Sequence, residues 1–303
     1  MRLGKIALFL TEATNPYQKL LESDATSAAE RSGFELERSF CSLSVNRQIQ
    51  DLRAKIRESP EQRPRAIIVM PAQEGTLRDE AREALRAGIS WVVLNRRAMV
   101  LENLPSEFPD LFIFTVSPDD FEIGRIQGRQ LRAGLPRGAR ALLLRGGTGT
   151  STATDRDAGL RAALAGSEIE LDVLYASWTL DGAKKALDVH LATPGRGKRR
   201  LDAVVCQNDE IAVGAMQALE QVAMRLGRPE LRQIKIFGCD GLPEYGQRYV
   251  KQGKFEATVV VPSTSGPAID ALAGAFERGS APPSELILPC LPFPTNPLPA
   301  GKS

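Results

Sequence analysis

Short runs rich in leucine and β-branched residues alternate with segments of helical period along the whole chain. That alternation restricts the fold to layered α/β forms, because such runs suit parallel strands buried under helices on both faces. Residues 6–10 predict a first strand. A helix follows, with Pro16 near its start, Tyr17, Leu20, Leu21, Ala25 and Ala29 on one face, and Gly33 as its stop. Phe34, Leu36 and Phe40 predict a strand, and Ile49, Leu52 and Ile56 before Pro60 a helix. Residues 66–70 read as a buried strand, 76–87 as a helix ended by Gly88, and 91–94 as another strand. After an irregular stretch over 99–110, a strand at 112–116 leads into a second series, whose strands are 141–144, 171–175, 203–206, 234–237 and 257–261. Two parallel sheets are expected, each flanked by helices, in a chain of 303 residues that is long enough for two domains.

Charge narrows the partners. The 39 basic and 37 acidic residues are spread along the length, for a net charge of +2, so no field is available to steer the chain onto nucleic acid. The densest basic cluster, Arg196-Gly197-Lys198-Arg199-Arg200, falls between a helix and a strand and reads as a solvated loop. Cys41, Cys206, Cys239 and Cys290 are widely separated, with neither zinc-ligand spacing nor a disulfide pattern, and are expected to be buried thiols. The opening residues mimic the start of a signal peptide, but the apolar run is too short and no small-residue cleavage site follows, so it reads as the first strand. With no stretch near the ~20 apolar residues that span a bilayer, a soluble chain is expected.

In open parallel sheets, ligands lie outside the carboxyl ends of the strands. The segments there are Thr14-Asn15-Pro16-Tyr17-Gln18, Pro71-Ala72-Gln73, Asn95-Arg96-Arg97, Gly146-Gly147-Thr148-Gly149-Thr150-Ser151, Trp178, Gln207-Asn208-Asp209-Glu210 and Cys239-Asp240-Gly241. Amides, guanidinium groups, carboxylates and aromatic rings dominate them. These groups hydrogen-bond hydroxyls and cover the apolar face of a sugar.

Taken together, these segments resemble the ribose-binding-protein and LacI-type ligand-binding family, from Gly4 to about Leu288. The pieces that carry the resemblance are Thr14-Asn15-Pro16-Tyr17, the run from Gly149 to Gly159, the run from Gln207 to Ala215, and Gly238-Cys239-Asp240-Gly241. The resemblance implies a type I periplasmic binding fold, two Rossmann-like lobes with parallel sheets joined by a three-crossing hinge near Ser117, Val261 and Ile287. Residues 1–117 with 262–286 would form the N-terminal lobe, and 118–261 with 287–303 the C-terminal lobe. A ligand would sit in the cleft between them, lined by Asn15, Tyr17, Asn95 and Arg96 from one lobe and Arg156, Trp178, Asn208 and Asp240 from the other. An arginine fork can hold two sugar oxygens, and Asp240 can accept from hydroxyls with both of its own. Asp209 and Glu210 instead read as favourable charges in a helix's first turn.

Covalent chemistry finds little support. A G-x-G-x-x-G match from Gly147 would need a glycine where Thr152 stands, and no phosphate loop of the Walker type is present. His190, the only histidine, lies near a helix end and reads as a surface residue, so hydrolase templates lack a base. No catalytic residues, cofactor or metal are expected. The resemblance implies the monomeric solute receptor of an ABC-type transporter or a sensor, located in the periplasm, which closes around a small sugar-like ligand. The alternative is the effector-binding core of a LacI-type transcriptional regulator; its DNA-reading segment would precede the first strand, which here begins by Ile6.

The ribose-binding pattern is also broken in three places. Met70 stands where an asparagine is expected, Asn95 where an aspartate is, and Val261 where a glutamine is. Counting Arg96, Arg156 and Asp240 as the charged lining leaves one surplus positive charge. A sugar-like ligand with fewer hydroxyls toward Met70 and Val261, and with an anionic group near the arginines, is therefore expected.

Overall fold

The structure is a computed structural model that describes residues 3–96, 101, 103–193, 195 and 200–295. Arg97, residues 99, 100 and 102 of the irregular stretch, and Arg196 to Arg199 of the basic cluster lie outside the described residues. The chain divides into two compact units. One runs to Pro118 and resumes over Ser263–Leu288; the other holds Asp119–Pro262 and resumes at Pro289.

The first unit alternates β1 (Gly4–Leu10), α1 (Pro16–Ser32), β2 (Phe34–Phe40), α2 (Val45–Ile56), β3 (Ala66–Val69), α3 (Arg78–Arg86), β4 (Ser90–Leu94), the short α4 (Leu104–Glu107) and β5 (Ile113–Pro118). The second continues with α5 (Asp120–Gly134), β6 (Arg140–Arg145), α6 (Ser151–Leu164), β7 (Glu170–Tyr175), α7 (Leu180–Ala192), β8 (Ala203–Cys206), α8 (Asp209–Leu226), β9 (Lys235–Phe237), α9 (Gly246–Lys251) and β10 (Thr258–Val260). The chain then returns to the first unit as α10 (Ser265–Arg278) and β11 (Glu285–Leu288), and ends in the second with β12 (Leu291–Phe293).

The sheet of the first unit has the order β11-β5-β4-β3-β1-β2, all parallel. Alternate residues Ala7, Phe9, Ile67, Val69, Trp91 and Val93 pack with Leu52 and Ile56 of α2 and Ala81, Ala84 and Leu85 of α3. Ile6, Leu8, Ile68 and Val92 face the opposite way by the two-residue strand period. That side is taken by α1 and α10, which are tied together where the Ser265 hydroxyl donates to the Leu21 carbonyl at 2.6 Å. Gly33 ends α1 as the sequence predicts, at φ 75°, where its N–H reaches the helix's last carbonyls.

The second unit's sheet is β7-β6-β8-β9, again parallel. Leu142, Leu144, Val204 and Cys206 pack under α7 and α8 on one face, while Ala141, Leu143, Val205 and Phe237 pack with Leu131 of α5 and Leu160 and Leu164 of α6 on the other. The last strand expected of this series departs from expectation. The segment expected as a further strand of this series forms β10, which pairs antiparallel with β12 and touches the main sheet only through bridges at Phe237–Ala257 and Asp240–Val260. At the second bridge, Asp240 at φ 107° and Gly241 at φ 58° turn the chain out of strand geometry. β12 itself carries Pro292, which suits an edge position that needs no N–H.

In the second unit, α5 and α6 cross with their backbones in close contact. A Cβ added to Gly124 would stand 2.0 Å from the Arg156 carbonyl oxygen, and one on Gly159 would stand 1.9 Å from that of Phe121. Only glycine at both positions lets the backbones meet this closely. The result places the first turn of α5 directly against Arg156.

Candidate binding residues of each unit

In the first unit, the carboxyl ends of β1 and β4 bring the expected residues together. Asn15 caps α1, its side-chain oxygen accepting from the Gln18 N–H at 3.0 Å. Gln18 in turn ties down the end of β1, with Oε1 accepting from the N–H groups of Thr11 and Glu12 at 2.8 and 2.9 Å. Asn95 stands at φ 56°, a left-handed conformation that asparagine tolerates. Its amide donates to the Tyr17 hydroxyl at 3.1 Å, and its side-chain oxygen accepts from the hydroxyl of Thr264, just ahead of α10. Arg96 is folded back, Nη1 donating to the Asn95 carbonyl at 2.7 Å. Tyr17, Asn95 and Arg96 are all buried, so they form a locked polar cluster and not a flexible fringe.

In the second unit, Arg156 is the centre. It is 5% exposed, its Nε donates to Asp120 Oδ1 at 2.8 Å, and its Nη1 donates to the Gln207 carbonyl and contacts Cys239 Sγ at 3.3 Å. Its Nη2 has no hydrogen-bond partner among the described residues. Burial works against the guanidinium charge, but Cys239, Asp120 and Asp240 outweigh it and hold the group above its ordinary value. Gln207 fixes the neighbourhood, accepting from the Gly146 N–H at 2.9 Å and donating to the Ala153 carbonyl at 2.8 Å.

Asp240 and Asp209 lie beside this group. Burial and the Asp209 charge push the Asp240 carboxyl well up, while Arg156 opposes the rise. Asp209 accepts from the Thr258 hydroxyl at 2.9 Å and from the Gly241 N–H at 2.8 Å, yet burial still raises it to about 7. The shift has a stability consequence. An unfolded Asp209 releases its proton near its ordinary 3.8, whereas the folded one holds it to about 7, so this group's contribution to stability falls as pH rises between those values. Asp209→Asn preserves both partners, with the amide oxygen facing Gly241 and the amide nitrogen facing Thr258. Thermal denaturation from pH 4.5 to 8 is expected to show the variant gaining on the native protein up to about pH 7 and levelling off above it. A flat difference would remove Asp209 from this role.

Two expected residues have structural tasks. Asn208 caps α8, accepting from the Ile211 N–H at 2.7 Å, and its amide donates to the Trp178 carbonyl at 3.1 Å, which leaves one amide hydrogen for another partner. The Trp178 indole lies over Gly146 and Gly147, where an added Cβ would stand 2.5 and 3.3 Å from it, and packs on the α7–α8 core. Those glycines therefore make room for a ring and not for a phosphate. The Trp178 Nε1–H is buried and has no partner among the described residues.

Asp120 and Thr264 escaped the sequence reading, and Gln207 stood in it only as part of a strand-end segment, not among the lining residues. Asp120 follows β5 as closely as the chosen segments follow their strands, so the same rule applied to Ser117-Pro118-Asp119-Asp120 finds it. Its presence corrects the charge account: Arg156 is already paired, and the surplus positive charge expected from Arg96, Arg156 and Asp240 does not exist in this unit. All four cysteines are buried and none is in a disulfide among the described residues, with the Cys290 thiol pushed up to about 12 by burial.

Parallel α/β units with polar groups gathered at the carboxyl ends of their strands are placed as open sheets place their ligand-binding residues, and known proteins give the family. Residues 6–265 match the family described as Periplasmic binding protein domain, and the chain belongs to that family of non-catalytic binding proteins. It is 26% identical to the ribose import binding protein RbsB of Salmonella typhimurium over 262 residues, covering 86% of this chain and 79% of that one. It is 32% identical to a xylitol-binding protein of Mycolicibacterium smegmatis over 196 residues, 64% of this chain and 50% of that one. Among solved structures, a periplasmic solute binding protein of an ABC transporter from Actinobacillus succinogenes 130z with bound D-allose superposes with TM-score 0.80 at 22% identity, over 96% of this chain and 97% of that one. No helix among the described residues is long and apolar enough to cross a membrane.

Proposed function

We propose that this protein is the periplasmic solute receptor of an ABC-type import system, and that its solute is a small uncharged sugar or polyol. The observation that carries this reading is the pair of locked polar clusters at strand ends, Tyr17–Asn95–Thr264 in one unit and Asp120–Arg156–Gln207 in the other. Both offer fixed donors and acceptors suited to hydroxyls, and neither contains a nucleophile held by a base. The relatives fit: ribose is an uncharged sugar and xylitol an uncharged polyol, and D-allose is bound in the similar structure. Met70 and Val261 suit a ligand with fewer hydroxyls than ribose presents at those points.

The mechanism is differential binding. A solute engaged by both clusters stabilises the conformation in which both reach it, and the three chain crossings act as the hinge. Thermal-shift screening of pentoses, hexoses and polyols should give at least one stabilising hit. Small-angle scattering with that hit at saturation should then show a smaller radius of gyration. An unchanged profile with calorimetrically proven binding would sink the hinge, and a panel without hits would sink the choice of solute.

A further inference from the structure

Arg156 alone would make the second unit's polar end attractive to anions: a buried, permanently charged fork with Nη2 open is how carboxylates and phosphates are recognised. The residues around it cancel that attraction. Asp120 lies in the first turn of α5, buried, with Oδ1 on Arg156 Nε at 2.8 Å, and the close approach of the two helices at Gly124 and Gly159 brings the partners within reach of each other. Asp209 and Asp240 add two more carboxyl groups acting on the same guanidinium. If both are protonated, Arg156 and Asp120 sum to zero. If either ionises, the cluster is negative. In no protonation state that retains the Asp120 carboxylate does it carry net positive charge.

We infer that Asp120 is the residue that sets charge specificity: by neutralising Arg156 while leaving Nη2 free to donate, it selects an uncharged polyol and rejects the matching sugar acid or sugar phosphate. This rests on the solute-receptor reading above. Asp120 acts through Arg156 and is a positioning residue; it need not touch the solute. The physical basis is that a buried cation without its counter-ion recruits one from solution, whereas a paired cation offers hydrogen bonds without net attraction.

Asp120→Asn keeps the size of the side chain and an oxygen for Arg156 Nε, but removes the charge. Calorimetry with matched pairs, ribose and ribonate, xylitol and xylonate, galactose and galactonate, reads the ratio of acid to neutral affinity. The native protein should favour the neutral member. Asp120→Asn should raise the acid-to-neutral ratio by about tenfold or more, and Asp120→Glu should return it toward the native value. Glu122→Gln removes a carboxylate from the same turn, one that faces Arg125 and Arg129 at the surface, and should leave the ratio unchanged. A purely structural Asp120 would weaken both members equally, and an unchanged ratio overturns the inference. Inorganic phosphate supplies a sugar-free arm: it should raise the melting temperature of Asp120→Asn and not of the native protein, and no difference between them overturns the inference. Absence of any sugar or sugar-acid binding therefore defeats the solute reading while the phosphate arm still decides the role of Asp120. If Asp120→Asn does not fold, the native preference decides, an acid bound more tightly than its neutral partner being the overturning result.

Discussion

Gly159→Ala is expected to destabilise the protein by on the order of 3 kcal/mol or more, near the upper end for overpacking a close-packed interior. The added methyl would stand 1.9 Å from the Phe121 carbonyl oxygen, a backbone atom that no rotamer change can move aside. Relief requires α5 and α6 to separate by more than an ångström. Separation strips contacts from Leu131, Leu160 and Leu164, which fill one face of the sheet between these helices. It also lengthens the Asp120–Arg156 ion pair, since each partner sits on one of the two helices. Urea unfolding should therefore show a large drop in midpoint. Gly166→Ala provides the contrast, because an alanine there meets nothing within 4 Å and suffers only the strain of φ 74°. Equal losses at Gly159 and Gly166 would mean that backbone conformation, and not helix contact, limits both sites.

That helix contact also shows where sequence periodicity stops being informative. The strand-helix alternation was legible because burial on both faces of a parallel sheet demands continuous apolar runs, and the runs at 66–69, 203–206 and 141–144 carry no competing signal. Elements whose stability comes from pairing and not from composition were not legible. β11 has alternating exposure and Ile287 lies more than half exposed, so nothing in its residues separates it from a loop until it pairs with β5. β12 contains a proline, which argues against a strand until an edge is available for it.

The candidate site divides in the same way. Asn15, Tyr17, Asn95, Arg96, Arg156 and Asp240 could be chosen because they directly follow strands or match a family segment. What each does depends on partners distant in sequence. Asn95 and Thr264 are separated by 169 positions, and Arg156 and Gln207 by 51. A charge count made without Asp120 leaves a surplus cation, on which the expectation of an anionic ligand rests. One contact across the α5–α6 crossing pairs Arg156 with Asp120 and removes that surplus.

Arg156→Ala is expected to cost about 3–5 kcal/mol of folding stability, the usual penalty for breaking a buried pair by removing one member. Three groups lose their partner at once: the Asp120 carboxylate, the Gln207 carbonyl and the Cys239 sulfur. Asp120 suffers most, because it is buried and its counter-ion has gone. The Gln207 loss spreads further, since its side chain links the ends of β6 and α6 through Gly146 and Ala153. A fall in solute affinity in this variant therefore mixes a missing donor with a loosened strand end. The pair can be separated from the rest by a cycle. Adding Asp120→Asn to Arg156→Ala removes the stranded charge, and the double variant is expected to regain on the order of 1–3 kcal/mol relative to additive losses. The measurement is the urea midpoint of the native protein, both single variants and the double variant at pH 7.5. Additivity within about 0.5 kcal/mol would show that the two charges are independent in the folded state. A coupled result would establish Asp120 as the partner that lets a permanently charged side chain be buried at this point of the second unit.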